Sequence, residues 1–318
     1  MTGRELYAVR KPRHRRTWSI AAIVLTVVFV ILGQFGAVLP VMATGWFGPD
    51  NSEAWPQLTY ILVAAFGLGA ILLSLWVWLF ERRGLGTIGL NANGPMRFVR
   101  GYLLGLAFLV AVVGIIYALG GYVIEGAGSL APAALIPVGA LLIGFIIQGS
   151  TEELFFRGWL MQLLASRHGL VLAVIVNSVL FGLFHGMNIE PGRELYLGLA
   201  NIVLFGLFIS LYAAHEGSLW GVCGWHAAWN WLLASGFGLN VSGQEVPITP
   251  MVANLADAEG AIWWVTGGIF GPEASVVTTG VLAAGTIFIL IRGKWSRFGV
   301  EGEATTEVGA VSTESAAG

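Results

Sequence analysis

Cysteine and charge are both scarce in this sequence. Its 318 residues include a single cysteine, which excludes an internal disulfide and a cysteine-based metal cluster. Charged residues make up 11% of the chain and hydrophobic residues 56%, a balance typical of an integral membrane protein. The net charge of −2 gives no reason to expect a nucleic-acid partner. The one cysteine, Cys223, lies in an apolar stretch, so we expect a small buried hydrophobic residue there.

Long apolar segments dominate the rest of the chain. Eight of them have the length of a helix that crosses a bilayer. They cover about 18–40, 58–80, 99–124, 133–160, 170–188, 195–214, 218–239 and 275–292. The sequence therefore predicts an all-α fold, a polytopic membrane helix bundle of about eight transmembrane helices.

The basic residues are distributed unevenly between the loops. With eight spans and an internal amino terminus, fourteen of the 16 Lys and Arg residues fall on the cytoplasmic side. Arg193 falls on the other side with most of the loop acids, and Arg157 lies within a span. We therefore expect a multi-pass protein of the cell membrane with both termini in the cytoplasm.

The composition also divides the chain into five parts. These are a basic cytoplasmic arm at 1–16, N-terminal transmembrane helices at 17–129, a core at 130–240, an outside loop with the final helix at 241–297, and a disordered tail at 298–318. The arm either orients the first span or touches anionic lipid headgroups. In the outside loop, AIWWVTGGIFGPEAS contains either interfacial tryptophan anchors or a lid-like, glycine-rich turn.

Three of the spans carry polar side chains that a helix facing lipid would avoid, because ionisable groups at bilayer depth are costly. Glu152, Glu153 and Arg157 share the fourth span, and His226 and Asn230 share the seventh. Glu153 and Arg157 are four residues apart and can pair on one helix face. Glu152 is turned about 100° from Glu153 and should face another neighbour. His226 and Asn230 are also four apart and can point into one cavity.

His185 ends the fifth span, and its distance from a turn places it near Glu152. The sequence Arg167-His168-Gly169 predicts a tight connection between the fourth and fifth spans. The midpoint between positions 152 and 185 falls in that turn. In a symmetric helical hairpin, Glu152 and His185 would therefore lie at the same depth.

A carboxylate, two imidazoles and a carboxamide in a partly dry cavity support more than one chemistry. Glu152 with His185 could take a proton from water, while His226 and Asn230 donate to the oxyanion of a tetrahedral intermediate. Alternatively, Glu152, His185 and His226 could bind zinc and leave one position open for water. Taken one by one, the same residues could be structural clamps between helices.

These motifs resemble those of a known family. Glu152-Glu153-Leu-Phe-Phe-Arg157 is similar to the EExxxR motif of the CAAX-protease and bacteriocin-processing family, also called the abortive-infection family. Phe181-Gly-Leu-Phe-His185 is similar to its FxxxH motif, and His226-Ala-Ala-Trp-Asn230 to its HxxxN motif. The resemblance covers about residues 130–240 and extends loosely to the segment around Phe270-Gly-Pro-Glu-Ala-Ser.

The resemblance implies an eight-span intramembrane endopeptidase that cleaves a membrane-associated peptide or protein. Glu152 and His185 would activate water, His226 and Asn230 would form the oxyanion pocket, and Glu153 with Arg157 would be a supporting ion pair. No cofactor is expected, although zinc on Glu152, His185 and His226 is the alternative. Members process prenylated CAAX proteins in eukaryotes and are linked to bacteriocin maturation or self-immunity in bacteria, and the composition suggests a bacterial chain.

Two other functions use the same residues. Buried Glu and His side chains can relay protons in a transporter, but the sequence has no paired repeat with interrupted helices, a common mark of transporters. A non-catalytic immunity or scaffold protein could retain the motifs for structural reasons alone.

Overall fold

A computed structural model describes residues 5–47 and 55–293. In these ranges the chain is mostly helical and forms a polytopic membrane helix bundle. The main helices are α1 (Ser19–Met42), α2 (Trp55–Phe80), α3 (Gly94–Ala118), α4 (Pro132–His168), α5 (Leu170–Phe184), α6 (Arg193–Glu216), α7 (Trp220–Trp231) and α8 (Val276–Arg292). The first four and α6 are long and apolar enough to cross a membrane, whereas α5 and α8 are shorter apolar helices.

Successive helices run between two ends of the bundle. One end, called here the basic end, contains residues 5–17, 81–97 and 167–169, joined by bonds such as Arg15 N to Glu81 O at 3.0 Å. The opposite end contains the loops that precede α4, α6 and α8. The predicted turn between the fourth and fifth spans is confirmed, because α4 ends at His168 and Gly169 has a φ of +86°.

The amino-terminal arm packs against the basic end of the bundle. The Tyr7 hydroxyl donates to the Arg157 carbonyl at 3.0 Å, and the Tyr7 amide donates to Gln162 Oε1 at 3.2 Å. Burial raises the pKa of the Tyr7 phenol, which keeps it a donor. Glu5 pairs with Arg10 and Arg83. The described part of the arm is thus bonded to protein, in addition to any contact it makes with lipid headgroups.

The opposite end contains a departure from the predicted all-α fold. Strands β1 (Tyr122–Ala127) and β2 (Ala253–Asp257) pair antiparallel, with Tyr122 opposite Asp257. The third predicted span, 99–124, is therefore wrong at both ends: α3 begins at Gly94, and after Ala118 the chain turns at Gly120, with a φ of +73°, into β1. The apolar residues of β1 continue the apolar run of α3, which is why the sequence predicted a helix that extends too far.

The glycine-rich part of the predicted outside loop forms packed turns. Short helical turns at Trp263–Thr266, Gly268–Phe270 and Pro272–Ala274 lead into α8. Asn201 of α6 donates to the carbonyls of Glu273 and Ser275 at 2.8 and 2.9 Å. The segment therefore lies on the bundle. The predicted tail at 298–318 is outside the described residues.

Glycines let α3 and α7 approach each other closely. A Cβ atom on Gly101 would overlap the backbone of Gly221, and one on Gly224 would overlap that of Phe98. Small residues at such crossings allow backbone contact, a main source of helix association in membranes. This contact positions α7, and with it His226, inside the bundle.

The variant Gly101→Val is expected to lower the stability of the bundle by about 1–3 kcal/mol, because its side chain would force α7 away from α3. Thermal unfolding of the detergent-solubilised protein measures this. Gly114→Val is a matched control on α3, since a Cβ atom there meets no described atom within 4 Å. Equal melting temperatures for the two variants would contradict the packing argument.

Candidate active site

The carboxylates of the first motif lie where α4 changes its winding. The helix is regular up to Glu153 and then follows a π-helical path over Leu154–Leu160, which includes Arg157. π-Helical turns inside α-helices occur often at functional sites, because the extra residue per turn re-aims the side chains around it. Glu153 and Arg157 are both completely buried.

The Glu153 carboxylate accepts hydrogen bonds from two side chains. Its Oε1 accepts from Arg157 Nη1 at 3.1 Å, which confirms the predicted i,i+4 pair, and lies 2.8 Å from His226 Nδ1. A carboxylate can only accept, so the imidazole donates from Nδ1. His226 Nε2 then points toward Glu152, whose Oε2 is 3.6 Å away. Contrary to the expectation of separate neighbours, both carboxylates approach the same imidazole, one at each ring nitrogen.

Aromatic rings enclose the rest of the Arg157 guanidinium. Its Cζ lies 4.3 Å from the centre of the Phe181 ring and 5.7 Å from that of Phe205. Arg157 Nε also donates to Ser210 Oγ at 3.4 Å. A buried cation is tolerated when a carboxylate, a hydroxyl and ring faces replace its water. Arg157 thus joins α4 to α5 and α6 beneath the carboxylates.

Glu152 and His185 open onto the same cavity. This cavity has a volume of about 50 Å³, enough for a water molecule. Its other lining residues are Val30, Gln34, Ala65, Phe66, Gly69, Thr151, Phe155, Phe156, Phe181 and Phe184. Glu152 and His185, expected at one depth in the bundle, thus line one cavity. His226 and Asn230 are outside this lining, so the expected single pocket around all four side chains is only partly formed.

The tautomer of His185 follows from its backbone contact. Its Nδ1 lies 2.9 Å from the Phe181 carbonyl oxygen, which can only accept, so Nδ1 carries the hydrogen. The neutral ring therefore has its lone pair on Nε2. That nitrogen can take a proton, a property suited to a general base.

Asn230 has a partner that the sequence motifs did not indicate. Its Nδ2 donates to Gln148 Oε1 at 3.0 Å, and both side chains are buried. Gln148 lies one helical turn before Glu152, so the spacing in the sequence already indicates that both lie on the same face of α4. Gly149 is a second missed residue, because a Cβ atom there would lie 3.2 Å from the His226 ring.

Glu273 is a further acidic residue that the motifs did not single out as part of the site. Its Oε1 accepts from Trp229 Nε1 at 3.2 Å, and its Oε2 accepts from Ser242 Oγ at 2.9 Å. Burial raises the pKa of this carboxyl, while the Ser242 hydrogen bonds and the nearby His185 oppose that rise. Glu273 ties the loops of the opposite end to α7 beside Asn230.

The zinc alternative would need three ligands in one place. Among the residues that the structure describes, no three His, Cys, Asp or Glu side chains are grouped as metal ligands. Cys223 is fully buried, as predicted. The site as folded is two carboxylates around one imidazole, with a second imidazole across a small cavity.

Comparison with known proteins finds similarity over the part of the chain that contains these residues. Residues 134–232 match the family model described as type II CAAX prenyl endopeptidase Rce1-like. The chain is also 38% identical over 96 residues to the uncharacterized protein YyaK of Bacillus subtilis (strain 168). That similarity covers 30% of this chain and 32% of YyaK.

The matched range includes Glu152, Glu153, Arg157, His185, His226 and Asn230. The chain is therefore a multi-pass membrane protein with an Rce1-like domain, the domain of a family of intramembrane CAAX endopeptidases. Helices α1, α2, α3 and α8 lie outside the match.

Proposed function

We propose that this protein is an intramembrane endopeptidase that hydrolyses a peptide bond of a membrane-associated protein or peptide. The observation that carries the proposal is that Glu152 and His185 line one cavity, while His226 Nε2 lies 3.6 Å from Glu152 Oε2. All eight main helices cross the bilayer in this proposal. The basic end faces the cytoplasm, since positively charged loops are retained there.

Water activation falls to Glu152 and His185. A water molecule in the cavity would lose a proton to the Glu152 carboxylate or to His185 Nε2 as its oxygen attacks the scissile carbonyl. The same proton can then pass to the leaving amine. The apolar, phenylalanine-lined wall keeps bulk water away from the reacting groups.

His226 and Asn230 supply donors for the oxyanion. The cluster contains two carboxylates and one guanidinium, and a second cation on His226 would balance the charge. Such an imidazolium donates from Nδ1 to Glu153 and carries its Nε2 hydrogen on the side of Glu152, where a developing oxyanion would accept it. Asn230 Nδ2 has a second hydrogen besides the one given to Gln148.

A fragment comparison tests the proposal. Membrane-peptide fragments from cells that contain the wild-type protein would be compared with those from cells that contain Glu152→Gln at equal abundance. We expect at least one fragment that occurs only with the wild type. Identical fragment sets would refute the peptidase and favour a non-catalytic scaffold.

Metal dependence is tested in the same system. With the metal-free mechanism, a chelator leaves fragment formation unchanged. Loss of fragments that added zinc restores would instead assign Glu152, His185 and His226 to a metal.

A further inference from the structure

One polar side chain in the cavity comes from outside the Rce1-like domain. Gln34 lies in α1, and it lines the cavity together with Glu152 and His185. The rest of α1 is almost entirely apolar. Its Thr26 is satisfied by the helix's own Ala22 carbonyl at 2.9 Å, and its Ser19 contacts His168 at the basic end.

The packing of α1 on α2 fixes the direction of Gln34. A Cβ atom on Gly33 would lie 2.7 Å from the Ala65 carbonyl oxygen, so α1 and α2 touch through their backbones at that point. The Tyr60 hydroxyl donates to the Ala37 carbonyl at 2.9 Å, one turn further along α1. Val30, four residues before Gln34 and on the same helix face, also lines the cavity. The rotation of α1 is thus set so that this face meets Glu152.

The Gln34 carboxamide has no hydrogen-bond partner within residues 5–47 and 55–293. An amide without a partner inside a membrane bundle is costly, because lipid offers neither donors nor acceptors. Thr26, two helical turns earlier in α1, is a buried polar group that the helix does satisfy. Gln34 is therefore available for a group that enters the cavity.

The chemistry of that group follows from the carboxamide. A side-chain amide offers one acceptor and two donor hydrogens, which matches the N–H and C=O of an extended peptide. A peptide that leaves its helix in the bilayer has such groups exposed and in need of partners. We infer that Gln34 hydrogen-bonds the substrate backbone beside the scissile bond, which makes α1 a substrate-binding helix. This inference rests on the proposed peptidase function and adds a binding residue to it.

Steady-state kinetics provide the first test. The probe is a pool of internally quenched ten-residue apolar peptides, offered to the protein in lipid nanodiscs. Gln34→Met keeps the length of the side chain and removes its hydrogen bonds. We expect its KM to rise by about 3- to 10-fold, the factor for one lost neutral hydrogen bond, with a smaller change in kcat. Phe35→Leu is the control on the same helix, because Phe35 is 58% exposed on the outer face.

The kinetic outcomes separate two roles for Gln34. An unchanged KM with a lower kcat would assign Gln34 to the attacking water and overturn its role in binding the peptide. Kinetics equal to those of Phe35→Leu would overturn any role in the site. In both cases the peptidase function itself would stand.

Thiol labelling provides a test that does not need turnover. Cys223 is fully buried, so a thiol introduced by Gln34→Cys can be followed with a water-soluble methanethiosulfonate. In an inactive Glu152→Gln background, we expect this thiol to react and the peptide pool to slow its reaction by about tenfold or more, the occupancy effect of a bound peptide. Phe35→Cys is the control and should not react.

A labelling rate that the peptides leave unchanged would overturn the inference. Protection of the introduced thiol by peptides that the wild-type protein never cleaves would uphold the contact and refute the peptidase. The two proposals can therefore fail separately.

Discussion

The purified Glu152→Gln variant is expected to hydrolyse peptides about 10²- to 10⁴-fold more slowly than the wild type, the usual contribution of a general base. The amide cannot accept a proton from water, but it keeps the shape of the carboxylate in the cavity beside His185. His185→Gln should lose activity to a similar degree, because its carboxamide has no basic nitrogen. Initial rates on quenched peptides in nanodiscs measure both.

Glu190→Gln is the control for this experiment, since it makes the same chemical change at an exposed position in the loop before α6. Melting temperatures close to that of the wild type would show that the inactive variants are folded. Wild-type rates in either Glu152→Gln or His185→Gln would remove the proposed water-activating pair.

The variant Arg157→Met is expected to destabilise the folded protein by about 3–5 kcal/mol, the cost of leaving one member of a buried ion pair alone. Glu153 would keep its charge in a fully buried position with only His226 as a polar partner. Unfolding of the detergent-solubilised protein by increasing sodium dodecyl sulfate measures the change. The yield of folded protein should fall in parallel.

The double variant Glu153→Gln with Arg157→Met should recover much of this stability, because glutamine can still accept from His226 without a buried charge. Arg100→Met is the control: Arg100 also pairs with a glutamate, Glu216, but its side chain is 60% exposed. Exposed pairs contribute about 0–1 kcal/mol. Similar losses of folding free energy for Arg157→Met and Arg100→Met would show that burial does not increase the contribution of the Glu153–Arg157 pair to stability.

Local spacing predicted much of the candidate site. The i,i+4 pair of Glu153 and Arg157 depends only on the helical repeat, and the shared cavity of Glu152 and His185 depends on two helices and a tight turn. Both features arise within one helix or one hairpin. Sequence spacing is informative at that range because few geometries are open to the chain.

Contacts between distant segments were not predictable in this way. The hydrogen bond between Asn230 and Gln148 requires α4 and α7 to be neighbours. The pairing of Tyr122 with Asp257 joins strands β1 and β2, which are far apart in the sequence. Gln34 reaches the cavity only because α1 packs on α2 through Gly33. The order of helices around a bundle is set by the fit of whole surfaces, which periodicity along one helix does not contain.

The attachment of the amino-terminal arm has a practical consequence for reporter design. The Tyr7 hydroxyl donates to the carbonyl of Arg157. A fluorescent protein fused before residue 5 would therefore disturb the π-helical stretch that contains the buried Arg157. The exposed turn at Glu259 and Gly260, at the far end of the molecule, has no such link to that stretch in the described structure. We expect that a tag or fluorophore inserted at this turn would report the location of the protein in cells without disturbing the candidate active site.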